Sequence, residues 1–215
     1  MDEMGHLKVV CISDTHGRHG RLRLPAADLL VHAGDATRRG SFAELEATFD
    51  WMARQPVPYR VFVAGNHDRC CELHPERTRV AAAERGIVYL CDQSATVAGL
   101  TVWGSPVTPR FRDMAFNRER GPAIAAHWAQ IPEGLDLLVT HGPPRNVGDR
   151  MILGMRVGCA DLMVRVREVE PRAHVFGHIH ESAGRYRVAG LRTRFINAAS
   201  SRLVPLVREP VVLEL

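Results

Sequence analysis

The sequence predicts an α/β fold in which two mixed β-sheets lie face to face with helices outside, a four-layer αββα sandwich. Three observations point to it. Short apolar runs alternate with helix-like segments along most of the chain, the apolar runs are followed within a few residues by Asp, Asn or His, and the C-terminal part reads as strands joined by turns with no long helix.

Residues 7–12, 28–31, 60–63 and 135–139 are apolar and end in polar, turn-prone residues, the pattern of buried strands. Residues 41–54 open with Ser41 and carry Glu44 three places on, a capping box that starts a helix. Residues 75–85, 117–130 and 159–169 read as further helices. Residues 173–176, 184–188, 192–196 and 211–215 are short strands for which a second sheet is the natural home. Composition alone does not separate two facing sheets from a simpler doubly wound sheet.

A chain of 215 residues with 46% hydrophobic residues can bury a substantial core, and one domain over residues 1–215 is expected. No stretch approaches the roughly 18 consecutive apolar residues of a membrane span, and residues 1–6 contain acids rather than an apolar leader core. A cytoplasmic protein with no membrane partner is expected. The five cysteines, Cys11, Cys70, Cys71, Cys91 and Cys159, have no CxxC spacing and read as reduced thiols; Cys11, inside an apolar run, reads as inert rather than nucleophilic. The net charge of +4 suits an anionic partner, yet Lys8 is the only lysine, an arginine bias that fits a GC-rich genome and says little about nucleic acid. Trp51, Trp103 and Trp128 read as core rather than as stacking platforms for a nucleobase.

Asp14 and His16 follow the first strand, Asp35 the second, Asn66, His67 and Asp68 the third, His141 the strand at 135–139, and His178 with His180 the strand at 173–176. In open α/β sheets ligands collect beyond the carboxyl ends of strands, so these clusters should converge on one crevice. Carboxylates, imidazoles and an amide oxygen without thiolates suit a zinc, manganese or iron site rather than a structural zinc. On locally extended backbone, i and i+2 point the same way, so Asp14 with His16, and His178 with His180, can each aim at one place. Seven donors are too many for one ion. A pair of ions about 3.5–4 Å apart holds both ends of an in-line displacement at phosphorus and lowers the pKa of bound water.

Asp14-Thr15-His16, Gly34-Asp35, Gly65-Asn66-His67-Asp68, Thr140-His141 and Gly177-His178-Ile179-His180 together resemble the five signatures of the calcineurin-like metallophosphoesterase superfamily, in that family's order. Trp103-Gly104-Ser105-Pro106, His141-Gly142-Pro143-Pro144, Arg156-Val157-Gly158-Cys159 and Ile196-Asn197-Ala198 are similar to the branch of metallophosphoesterase domain-containing proteins known from animal brain. The resemblance implies the four-layer sandwich and two divalent cations, manganese foremost, with iron, zinc or magnesium as alternatives. It implies Asp14, His16 and His180 as ligands of one cation, Asp35 as the bridge, and Asn66, His141 and His178 as ligands of the other. It further implies that His67 contacts the phosphate or protonates the leaving oxygen, with Asp68 hydrogen-bonded to its ring and raising its pKa. Arg38 or Arg39 is the expected guanidinium clamp; Gly34-Asp35-Ala36-Thr37-Arg38-Arg39-Gly40 lacks the second aspartate of the protein-phosphatase motif, which argues against a protein-phosphatase role. Phe111 and Arg112 are expected at the pocket rim.

The activity so implied is hydrolysis of a small phosphoester by a hydroxide held between the metals. Phosphodiesters, cyclic nucleotides among them, or phosphomonoesters are the substrates by family analogy. A catalytically silent binding module on the same fold is the alternative from another class, and a nuclease the third, though 215 residues leave no room for an added DNA-binding domain. Oligomeric state is open, a dimer included. His32 and Asn197 are expected to support the ligands, and Glu181 to be a solvated charge.

Overall fold

The computed structural model describes residues 6–201 and 208–215. Its first sheet has the order β13-β1-β2-β3-β4, with β1 (Lys8–Ile12), β2 (Leu29–Ala33), β3 (Tyr59–Val63) and β4 (Val88–Tyr89) parallel and β13 (Val211–Glu214) antiparallel to β1. The second has the order β11-β12-β10-β9-β6-β5. Here β6 (Leu100–Ser105), β9 (Leu137–Thr140), β10 (Ala173–Phe176) and β12 (Arg194–Asn197) are parallel, while β5 (Gln93–Val97) and β11 (Gly184–Tyr186) run antiparallel at the edges.

Three apolar clusters make the layers. Strand alternation sends Val9, Cys11, Val31 and Val63 to meet Val102, Val139, Val175 and Ile196 between the sheets. On the outer face of the first sheet, Val10, Ile12, Leu30 and Phe62 pack with Leu45, Phe49 and Met52 of α1 (Phe42–Ala53), with α2 (Arg69–Leu73) and with α3 (Pro75–Ala83). On the outer face of the second, Trp103, Leu138, Phe176 and Phe195 meet α4 (Pro122–Trp128) and α5 (Ala160–Val169). This is the four-layer αββα sandwich. The three tryptophans lie in these cores, which removes the nucleobase-stacking reading. No helix among the described residues is long and apolar enough to cross a membrane.

The strand expected at 135–139 is present as β9, in the second sheet between β6 and β10. Other expectations are corrected. Residues 211–215 do not join the second sheet: β13 pairs with β1 from Lys8–Glu214 to Cys11–Val211 and covers what would be an open edge. The hairpin β5–β6 is not among the strands the sequence predicts, because Gln93, Ser94 and Thr96 mask the alternation around a turn at Ala98 and Gly99, both with positive φ. Finally, the helix expected from 117 begins only at Pro122. Gly121, at φ 86°, breaks the chain direction, Pro122 sets the first turn, and Asn117–Arg118 form β8, paired with β7 (Thr108–Pro109).

His174 occupies the second sheet's core without solvent contact, between the rings of Phe176 and Phe195 and 2.8 Å from Thr140 Oγ1. Because Thr140 Oγ1 donates its own proton to Gly142, His174 Nε2 must donate to it, and the buried Nδ1 has no acceptor that would stabilise a second ring proton. Burial pushes its pKa down to about 3. The unfolded chain therefore takes up a proton near pH 6.5 that the folded chain refuses, so this site's contribution to stability is intact above about 6.5 and is lost as pH falls toward about 3. His174→Gln should flatten the decline of the unfolding free energy with denaturant between pH 7 and 4; an unchanged slope would contradict this.

Candidate metal centre

The loops that leave β1, β2 and β10 turn abruptly. Asp14, His16, Asp35 and His178 have φ of 54°, 43°, 56° and 70°, in the left-handed region that L residues seldom occupy. The i, i+2 alignment expected of extended backbone is thus not what aims these side chains, and His178 and His180 point into different groups of donors. Two glycines make the convergence possible. A Cβ on Gly177 would overlap Ser13 Oγ and Asp14 Oδ2, and one on Gly65 would overlap the backbone nitrogen and carboxylate of Asp35. In their absence the His178 N–H reaches Asp14 Oδ2 at 2.9 Å, and the His67 N–H reaches Asp35 Oδ1 at 2.8 Å.

Donor atoms of Asp14, His16 and His180 lie within 4.8 Å of one another, and so do those of Asp35, His141 and His178. Asn66 Oδ1 joins the second group, 2.9 Å from His141 Nε2. His16 Nε2, 3.8 Å from Asp35 Oδ2, links the two groups. All seven residues expected from sequence therefore meet where the carboxyl ends of both sheets come together.

Hydrogen bonds fix which ring nitrogens face inward. His141 Nδ1 lies 2.9 Å from the Ala33 carbonyl and His16 Nδ1 3.1 Å from that of Thr37. A carbonyl only accepts, so each Nδ1 carries a proton and each Nε2 is turned toward the carboxylates. His141 Nε2 then faces Asp35 Oδ1 at 3.3 Å and Asn66 Oδ1 at 2.9 Å, acceptor against acceptor whenever the ring is neutral. Such a contact is stable only with a proton or a cation between the atoms.

The electrostatics agree. Burial drives the Asp14 carboxyl upward, but the hydrogen bond and charge of His180, with His141 and His16 behind them, hold it well below the usual carboxylate range. Asp35 is lowered to about 2, with His141 overcoming burial, and in return Asp35 raises His141 to about 9 against its own burial. His178 is lowered to about 4 by burial and then by the charge of His141.

His67 sits half-buried beside the cluster, its ring edge-on to His16 with centroids 4.8 Å apart. The bond expected from Asp68 to that ring is not made. Asp68 instead accepts from the backbone N–H of Gly65, Ala36 and Thr37 and from Thr37 Oγ1, clamping the Asp35 and Asn66 loops together, and His67 Nδ1 turns to the Arg38 carbonyl at 3.3 Å. His32 clamps in the same way. Its Nδ1 accepts from the Gly34 N–H, so Nε2 donates to Thr15 Oγ1, and burial lowers its pKa to about 3. Asn197 donates to the carbonyls of Gly148 and Ile179, bracing the His178–His180 turn.

A cleft of about 410 Å³ opens over the cluster. Phe111 and Arg112 line it as expected, together with Met114, Met151 and Val157, which the sequence did not single out, and Glu181, read there only as a solvated charge. Arg38 lines a neighbouring cleft with His16, His67 and His180. Arg39 lines neither. Its backbone N–H donates to Glu44 at the start of α1, where the capping box holds the segment away from the centre. Cys11 is buried with its thiol pushed up to about 12 by burial, as an inert core residue. Asp149 was missed: fully buried, it pairs with Arg156 at 3.0 Å and accepts from the Asn146 and Gly158 N–H, fixing the loop that carries Met151.

The sequence pattern of calcineurin-like phosphoesterases matches residues 7–182. The chain belongs to the calcineurin-like phosphoesterase family. It is 37% identical to the human metallophosphoesterase domain-containing protein 1, over 98% of this chain and 72% of that one. It is 36% identical to a UPF0046 protein of Caenorhabditis elegans, over 92% and 71%. A Synechococcus protein described as a probable cyclic nucleotide phosphodiesterase is 26% identical over 76% and 62%. A crystal structure of a Thermus thermophilus protein shares the fold, with a TM-score of 0.57 at 13% identity over 89% and 88% of the two chains. Another shares it at 0.70 and 17%, over 97% and 95%. Calcineurin-like phosphoesterases act on phosphoesters and generally use two divalent cations. The donor set here fits that pair: two carboxylates and four imidazoles in two linked groups, with the Asn66 amide oxygen beside the second.

Gly177→Ala should keep the sheets but displace Asp14 and His178. Metal content measured by mass spectrometry after reconstitution with manganese should fall well below that of the unaltered chain at matched circular dichroism; undiminished content would contradict the close-approach argument.

Proposed function

We propose that this calcineurin-like phosphoesterase hydrolyses small phosphodiesters, with cyclic nucleotides and phosphomonoesters as candidate substrates, using two divalent cations of which manganese is the first choice and iron, zinc or magnesium the others. Asp14, His16 and His180 would hold one cation and Asn66, His141 and His178 the other, with the Asp35 carboxylate near both groups. When bound, such a pair brings the pKa of water toward neutrality and neutralises charge on a phosphate.

The observation that carries this reading is the inward orientation of His16 Nε2 and His141 Nε2, each enforced by a backbone carbonyl, beside a half-buried imidazole at the mouth of a cleft. With His67 Nδ1 tied to Arg38, Nε2 is the ring nitrogen left for a phosphate oxygen or the departing alcohol, and general-acid help of this kind contributes about 10²–10⁴-fold. Phe111, Met114, Met151 and Val157 supply apolar walls for the organic part of the ester, and exclude water from one side of it. Arg112, its guanidinium 5.0 Å from the Phe111 ring centre, is placed to meet charge at the rim. The name of the Synechococcus relative supports the inclusion of cyclic nucleotides.

With manganese added, Asp35→Asn and Asn66→Ala should abolish turnover of bis(p-nitrophenyl) phosphate, whereas His67→Ala should keep its metal and lose about 10²–10⁴-fold in kcat. Full activity in either of the first two variants would refute the assignment, and metal loss in the third would move His67 from acid to ligand.

A further inference from the structure

The donor cluster opens onto two clefts of different chemistry. Besides the cleft walled by Phe111, Met114, Met151 and Val157, a second of about 320 Å³ is lined by His16, Arg18, Arg38, His67, His180 and Ser201. Among the described residues the two share only His16, His67 and His180, so the donors and His67 stand at their junction. The first cleft mixes apolar side chains with both signs of charge, including Asp35 and Glu181. Among the described residues, the second has neither an apolar side chain nor a carboxylate in its lining.

Both arginines are placed by their own backbone. The Arg18 N–H donates to the Thr15 carbonyl at 2.8 Å, one residue from His16, and the Arg38 carbonyl accepts from His67 Nδ1 at 3.3 Å. Among the described residues neither guanidinium pairs with an acid, in a molecule where Arg69, Arg79, Arg85, Arg110, Arg156 and Arg172 each do. Two unpaired guanidinium groups lining one concavity repel each other until an anion sits between them, and guanidinium matches a phosphate or carboxylate by paired N–H donors.

We propose that the Arg18–Arg38 cleft is an anion subsite for the second arm of the substrate. The substrate class is then a linear phosphodiester with one aromatic or apolar arm and a further phosphate or carboxylate on the other. A cyclic diester closes both arms on one sugar and would bind at the junction without the contribution of this subsite. This inference rests on the proposed hydrolytic reading for what happens at the junction, but the subsite itself is a matter of binding.

The test compares thymidine 3′,5′-bisphosphate with thymidine 5′-monophosphate by titration calorimetry on the manganese-loaded protein, and repeats it on Arg18→Ala and on Arg18→Ala with Arg38→Ala. The bisphosphate should bind about 10–100-fold more tightly, the preference falling about 10-fold in the single variant and vanishing in the double, as loss of charge-assisted hydrogen bonds implies. Equal affinities in the unaltered protein, or a preference that survives the double substitution, would overturn the subsite. In parallel, turnover of the p-nitrophenyl esters of the same two nucleotides separates the readings. Binding preference without turnover counts against hydrolysis and leaves the subsite standing, whereas turnover without preference sinks the subsite alone.

Discussion

The hydrogen bond from His141 Nδ1 to the Ala33 carbonyl joins the two sheets inside the donor cluster. Ala33 ends β2 in the first sheet and His141 follows β9 in the second, so a single N–H ties the layers and, in the same act, commits the opposite nitrogen to face Asp35 and Asn66. The bond from His16 Nδ1 to the Thr37 carbonyl, between two loops of the first sheet, orients the ring in the other group. In neither case is the ring free to turn and satisfy its lone pair elsewhere. A buried acceptor set against other acceptors is costly without a cation or proton, and the fold maintains this arrangement through backbone atoms, which substitution of surface residues does not alter.

That constraint explains features that would otherwise look like defects. Left-handed backbone at Asp14, His16, Asp35 and His178 is strained for residues with a Cβ, and such strain persists only where the surroundings over-determine it. Here the surroundings are the buried groups one step from the donors: Asp68 gathers three backbone N–H groups, His32 and Thr15 close the first loop, Asn197 holds the last, and Asp149 pins the wall of the cleft. Their polar atoms are spent on backbone rather than on substrate. The reacting groups are thereby left with few degrees of freedom, which is the condition for preorganised electrostatics.

The layer order and the seven donors were legible because both follow from periodicity and from what ends a strand. Alternation along residues 7–12 divides Val9 and Cys11 from Val10 and Ile12, and the structure sends them to opposite cores. Donors at strand ends converge because parallel strands share a direction. What stayed hidden depends on contacts distant in sequence. Nothing near Asp68 announces that it serves Gly65, Ala36 and Thr37 rather than the neighbouring His67, nor that residues 211–215 return to the edge of the first strand. The positive φ at four donor positions was equally invisible, since none of them is glycine. Arg39 illustrates a different limit: adjacent arginines were interchangeable in sequence, and only the capping box of α1 separates the one that reaches a cleft from the one that does not.

The two linked groups of donors fit two cations rather than one, as proposed above. Native mass spectrometry of the chain after stripping with chelator and titration with manganese measures this directly. Two ions bound per chain, with the exchange-coupled electron paramagnetic resonance signal of a close pair, is the predicted result. A folded chain that saturates at a single ion, or binds two that are magnetically independent, would contradict it.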